Sequence, residues 1–449
     1  MVITENIVKH FILILSFVLP ISGLMSQDTV YIDPSLSETR MEAGTFLHPF
    51  NSWNDIHLND TAYMNGKVFL QKCGTVFYSD SVISLEKCSN VVFDSYGKGA
   101  KPVVFSSSGS YIFNFRKCRK IVLRNFIIRG DTNDAGVAMP VACIRFFGTF
   151  TKNTENDCVI DNCNLSYAVW GARLMYGNRI TIKNSEIHNI EDDGIFVENV
   201  ENVEVAGCKI FDVNRKWFHN GHTEKESPGD CIQLSKKSGN FIIQDNYLNR
   251  SGTGNKFCFI HTGEPTYGIV KGNLFVSPDS TGNGGACLFF GKGDSVLIEN
   301  NRFNGQQQAI YSHGKIYMYY NIFENLPLGI NSVSDTAFIF NCVFYNCITA
   351  FKGNSVLMNN VFYNCDKIFG TPNSIVQAET NCFWKTGYEG EELGFEVDPQ
   401  FIDPANGNFR LKGTSPCIDK GTDAGLKADI DGNRVPQGKG VDIGAYEIK

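Results

Sequence analysis

Two short segments of this chain share one shape and carry a carboxylate at the same offset. One reads DGIFVEN from Asp193, the other DCIQLSK from Asp230. Laid side by side as neighbouring strands, they set Asp193 beside Asp230, Phe196 beside Gln233 and Glu198 beside Ser235. The preceding segment GARLMYG brings Arg173 to the Phe196 position. The following segment KFCFIHT brings Lys256 near the carboxylates and His261 near Ser235. Carboxylates on adjacent strands repel, so the pair requires a cation, a shared proton or a basic neighbour. Calcium held by Asp192, Asp193 and Asp230 meets that need with oxygen ligands. Acid–base work shared between two carboxyl groups meets it with a proton. Capping of turns, a common task for Asp before Gly, is the structural alternative.

Just before Asp230 lies NRKWFHNGHTEKESPG, residues 214–229. Arg215, Trp217, His219 and His222 are residue types that bind sugars, through flat faces and charged donors. With Arg173, Gln233 and Lys256 they form the expected substrate-contact set. The HNGH spacing is loosely metal-like, but no helix or third histidine supports zinc.

These residues need a frame that places distant segments together, and the sequence supplies one. A single phrase recurs from Ile121 to Asn364: alternating apolar residues, a turn of Asn, Gly or Asp, then an apolar anchor. The anchors are Ile128, Leu165, Ile187, Ile210, Leu248, Phe275, Phe303, Phe323, Phe344 and Phe362, mostly 18 to 28 residues apart. A repeat of that length built from short strands is a solenoid, in which one column of the repeat becomes a line of spatial neighbours. The fold class expected is all-β, a single parallel β-helix, right-handed by the chirality of parallel crossovers. Its parts are a signal peptide over 1–26, an N-terminal cap over 27–67, the helix over 68–379 and a closing segment over 380–449. Two long gaps between anchors, holding GDTNDAGVAMP and the 214–229 segment, must project from turns.

Composition sets further bounds. The 449 residues are 43% hydrophobic and 19% charged, with net charge -7. Nucleic acid is excluded as a partner by that balance, since it requires a basic surface. Lys9 and His10 precede the apolar run Phe11–Leu19, which is short for a membrane span and suits an export signal cut near Ser26. The 15 cysteines fall in columns. Cys163, Cys208 and Cys342 share one, and Cys143, Cys231, Cys258 and Cys287 fall near another, within one residue. Packing in the core is expected for them, and not a disulfide framework. The Asn residues at the turns, Asn184, Asn300, Asn341 and Asn359 among them, are expected to form hydrogen-bonded ladders.

The opening VYIDPSLSETRMEAGTFLHPF and the closing LKGTSPCIDKG and DIDGNRVPQGKGVDIGAYE resemble the two ends of exported bacterial right-handed parallel β-helix proteins. The segment GDCIQLSKKSGN resembles the strand of polysaccharide lyase family six, the chondroitinase B-like and alginate lyases, that carries the catalytic lysine. Ser235, Lys236, Lys237, Ser238 and Asn240 match its ending. The resemblance implies calcium, Lys236 as base, and β-elimination on a uronate-containing glycan. His261 or Lys256 stands where that family has an arginine, and Asp230 stands where it has two glutamates. The catalytic set so expected is Lys236, His261 and Asp230. Two other readings stay open: a glycoside hydrolase using a pair among Asp192, Asp193, Asp230 and Glu198, and a carbohydrate-binding scaffold without catalysis. The expected protein is exported and monomeric, and meets an acidic polysaccharide.

Overall fold

The computed structural model describes residues 28–37, 42–132, 140–149, 156–213, 229–236, 238–249, 258–263, 267–277, 286–293, 295–370, 375–388 and 393–449. The chain winds as a parallel β-helix, the fold class expected from the repeat. Each full coil contributes three strands, and like strands of successive coils pair in parallel. One face begins at Ile83–Glu86 and runs to Lys367–Phe369, a second runs from Val68–Lys72 to Ile375–Glu379, and a third from Val76–Ser79 to Gly394–Glu396. The long strands Trp170–Lys183 and Ile195–Ala206 turn from the first face into the second without a break.

The repeated phrase owes its Asn, Gly and Asp to backbone geometry. The corner between second and third faces places one residue in the left-handed region. Asn184, Asn300, Asn341 and Asn359 occupy it with φ of 49°, 58°, 54° and 58°. Gly207 and Gly272 occupy the same corner at 62° and 64°. Glycine lacks the Cβ that makes this region costly, and Asn tolerates it best among the others. The continuous amide ladder runs one residue later than expected, through Asn246, Asn273, Asn301 and Asn321. It resumes at Asn360 and Asn381. Cys163, Cys208 and Cys342 occupy this same inward column in other coils, as expected from their spacing. Cys143, Cys231 and Cys287 share another, while Cys258 lies one position away. All fifteen cysteines are among the described residues, and none is in a disulfide.

Every anchor is fully buried and pairs with the next in register. The stack continues past the last copy of the phrase to Phe383. From Phe275 to Phe383 the anchors are parallel-stacked rings with centroids 4.6 to 5.2 Å apart. At the N-terminal end Trp53, in a short 3-10 turn, packs over Phe69, Phe93 and Phe113 and covers the first core layer. Thr29–Ile32 is itself a coil strand, paired with Val68–Lys72.

The C-terminal segment differs from a simple end cap. After the antiparallel hairpin Phe401–Asp403 and Asn408–Leu411, it lies along the flank of the solenoid. Phe401, Phe409, Leu411, Cys417, Ile443 and Tyr446 cover Ile322, Val343, Val361 and Cys382, which point outward from four successive coils. The corner amides of Asn341 and Asn359 reach across to the carbonyls of Asp442, Gly444 and Thr422. DIDGNR at 429–434 is part of this segment: Asp429 accepts from the backbone N–H groups of Asp431, Asn433 and Glu447.

Candidate functional site

The first face carries one outward row that collects most of the chemistry. Alternation within each strand sends Ile195 and Val197 into the core and Phe196 outward, and the same holds in every coil. Lateral pairing then fixes the row as Asn114, Arg145, Arg173, Phe196, Gln233, His261, Phe289, Tyr311, Asn331 and Lys352. The expected neighbours Arg173–Phe196, Phe196–Gln233 and Glu198–Ser235 are all observed. His261 is not opposite Ser235. It lies opposite Gln233, two residues earlier. A two-residue slip keeps a side chain on the same face, so the expected face is kept and the position changes.

Asp193 and Asp230 sit at the corner that begins these strands, on adjacent coils. Gly229 precedes Asp230 where the chains come close: a Cβ there would lie 2.4 Å from the Asp192 carbonyl oxygen. Each carboxyl group is 3% exposed by residue. Asp193 Oδ1 accepts from the Asp230 N–H at 2.7 Å, and its Oδ2 from the Trp170 indole at 3.2 Å. Asp230 Oδ1 accepts from the Cys258 N–H at 2.6 Å, and its Oδ2 faces His261 Nδ1 at 3.2 Å. Burial, then the charges of Asp192 and Asp230, push the Asp193 carboxyl well above the usual carboxylate range. Burial raises Asp230 too, and its contact with His261 opposes that rise. The cluster is a buried acid, a buried carboxyl group and a histidine whose side chain, 29% exposed, brings it to the surface. With Nδ1 turned to Asp230, Nε2 is the nitrogen left for a ligand. The Phe289 ring stands edge-on to the imidazole at 4.8 Å.

The donor set does not fit a calcium ion. All four oxygens of Asp193 and Asp230 already face nitrogen donors, and the raised Asp193 carboxyl favours its proton. Among the described residues no group of three His, Cys, Asp or Glu side chains is arranged to hold a metal. Asp192 is half-buried beside the pair, its N–H bonded to the Val169 carbonyl.

Lys236 turns the corner after Ser235 in the left-handed region, φ 43°. Its ammonium is 2.7 Å from Glu198, with side-chain exposures of 60% and 8%. Using Lys236 as a base would mean giving up that contact. Arg215, Trp217, His219, His222, Lys237 and Lys256 lie outside the described residues. The described site also contains groups the sequence reading left out: Trp170, Arg145, Phe289 and Tyr311. Arg145 was discoverable, because CIRFFG places its arginine at the same offset as Arg173 in GARLMYG.

Residues 103–282 match a family model described as a right handed beta helix region, and the winding is right-handed accordingly. No curated protein matches the chain. Similar solved structures include pectate lyase Pel9A, at 15% identity over 95% of this chain and 98% of that chain, with a TM-score of 0.48. The catalytic unit of a thermostable GH87 alpha-1,3-glucanase from Streptomyces thermodiastaticus strain HF3-3 is 12% identical over 75% of this chain and 66% of its own, TM-score 0.45. The A-module of the Azotobacter vinelandii mannuronan C-5 epimerase AlgE4 is 10% identical over 76% and 94%, TM-score 0.43. Among the described residues no helix is long and apolar enough to cross a membrane.

Proposed function

We propose that this chain is a carbohydrate-active enzyme that cuts an acidic polysaccharide by β-elimination, with His261 as the proton-transfer group. The observation that carries this reading is the surface histidine whose Nδ1 is held by the buried carboxyl group of Asp230. Such a partner fixes the tautomer and stabilises the imidazolium once it forms. A cation next to a uronate carboxylate makes the C5 proton more acidic. Nε2 takes that proton, the bond from C4 to the leaving oxygen breaks, and a C4=C5 double bond forms. The imidazolium then returns its proton to the leaving oxygen. Asp230 is a positioning residue here. Lys236, charged and braced by Glu198, supplies positive potential at the neighbouring corner in place of the base role implied by the resemblance. No step calls for calcium.

The test is a panel of acidic polysaccharides followed by ultraviolet absorbance of the new double bond, alongside an assay for reducing ends. Absorbance should rise, and His261→Gln should lower the rate by about 10²–10⁴-fold, the usual worth of a general base. One observation favours a second reading, hydrolysis: burial, with Asp192 and Asp230 close by, raises the Asp193 carboxyl well above the usual carboxylate range, the direction a general acid needs. Reducing ends without absorbance, lost in Asp193→Asn, would establish hydrolysis instead. Export suits either reaction, and the apolar run Phe11–Leu19 supports it. Sequencing the N-terminus of protein recovered outside the cytoplasm, expected to begin near residue 27, checks it.

A further inference from the structure

Arg145 and Arg173 are lateral neighbours on the outward row. The Arg145 guanidinium lies over Tyr111 and Phe147, 4.8 and 4.6 Å from the ring centroids. Arg173 lies over Trp170 and Phe196, at 4.5 and 5.7 Å. Stacking uses the flat faces of a guanidinium and leaves its N–H edge for an acceptor. Yet the Nε of each arginine is buried with no hydrogen-bond acceptor, and among the described residues no carboxylate pairs with either. Several other arginines on this solenoid are ion-paired: Arg116 with Glu86, Arg124 with Asp94, Arg179 with Asp157, Arg302 with Glu324. Two unneutralised cations on strands about 4.8 Å apart repel each other. Arg116, one row over in the coil before Arg145, adds a positive charge that Glu86 partly offsets at 3.5 Å. On a chain of net charge -7, this is a local reversal of sign.

We infer that Arg145 and Arg173 form a paired anion subsite that takes two acid groups, carboxylate or sulfate, of one polymer chain. The aromatic rings beneath them fix the two forks in place, so little side-chain freedom is lost on binding. The subsite lies on the N-terminal side of His261, separated from it along the row by Phe196 and Gln233. At about 4.8 Å per coil that is roughly 14 Å, so the acid groups held there belong to sugars other than the one being cut. Loss of the pair should therefore raise KM and leave kcat nearly unchanged. This inference takes from the proposed function only the identification of the ligand as a polysaccharide.

Affinity electrophoresis through gels containing polygalacturonate, dextran sulfate or neutral dextran tests it, with His261→Gln protein so that nothing is cut. The parent should be retarded by an acidic polymer and not by neutral dextran, and the responsive gel tells carboxylate from sulfate. Adding Arg145→Gln and Arg173→Gln should weaken retardation at least tenfold, and the Lys pair should restore part of it with a steeper salt dependence. Absence of retardation in both acidic gels overturns the inference. So does undiminished retardation of the Gln pair with native circular dichroism; if that pair does not fold, full parental affinity in the Lys pair overturns it. Arginine-dependent binding by wild-type protein that yields neither double bonds nor reducing ends would leave the subsite standing and remove the proposed function.

Discussion

The outward row of the first face has two flanks on either side of His261, and they differ in kind. Toward the N-terminus stand Arg145 and Arg173, cations stacked on aromatic rings. Toward the C-terminus stand Phe289 and Tyr311, whose rings stack 5.2 Å apart at 10°, followed by Asn331 and Lys352. The backbone is the same on both sides, with the same parallel pairing and the same alternation. A solenoid thus lets one row change its chemistry coil by coil without disturbing the core. Under the proposed function, a polymer lying along this row would meet cations on one side and aromatic rings on the other.

The largest expected effect separates the two flanks from the centre. His261→Gln should abolish turnover, by about 10²–10⁴-fold, while leaving binding at both flanks intact. Asp230→Asn should cost somewhat less and shift the pH–rate profile, because the imidazolium loses its partner. An unchanged profile would mean that Asp230 does not act through His261. The flanks themselves should part company in salt. Phe289→Ala with Tyr311→Ala should raise KM by about threefold to tenfold, the worth of aromatic contacts, to the same extent at low and high ionic strength. A salt-dependent loss there would erase the contrast with the arginine flank. Smaller still is the effect of a chelator: activity should change less than about twofold, since the oxygens of Asp193 and Asp230 are occupied by nitrogen donors.

Away from the row, Glu447 offers a pH test of the C-terminal segment. Burial raises its carboxyl to about 7. A folded-state pKa above the unfolded value stabilises the fold below about pH 4.5. That contribution falls away as pH rises through about 7. Glu447→Gln should therefore flatten the decline in Tm between pH 5 and pH 8; an unaltered decline would assign it to other groups.

Much of this was legible in the sequence. The left-handed corner favours Asn, Gly or Asp, with Tyr320 and Thr380 as exceptions, and the anchor after it must be apolar, so the phrase could be read directly. Placing Asp193 beside Asp230 followed from counting along matched strands. His261 was placed two positions off because the segment between Asn249 and His261 has no anchor to count from, and a shift of two leaves the pattern of faces unchanged. The role of the C-terminal segment was less legible because it lacks the repeat, but the coils beneath it carry a sign of cover. The outward position of the third face reads Asn164, Glu186, Lys209, Tyr247, Leu274 and Arg302, then stays apolar through Ile322, Val343, Val361 and Cys382. A run of such apolar pairs over successive coils, as in Val343–Phe344 and Val361–Phe362, marks strands covered on both sides. For Lys236, sequence similarity gave its place, and only geometry gave its partner, Glu198.

The fastening of four coils by one C-terminal segment bears on how the molecule comes apart. A stack held only by contacts between successive turns can fray from its end, one turn at a time. Here the last turns share a common clasp and must be released together. The clasp follows those turns in the chain, so it closes over strands synthesised before it.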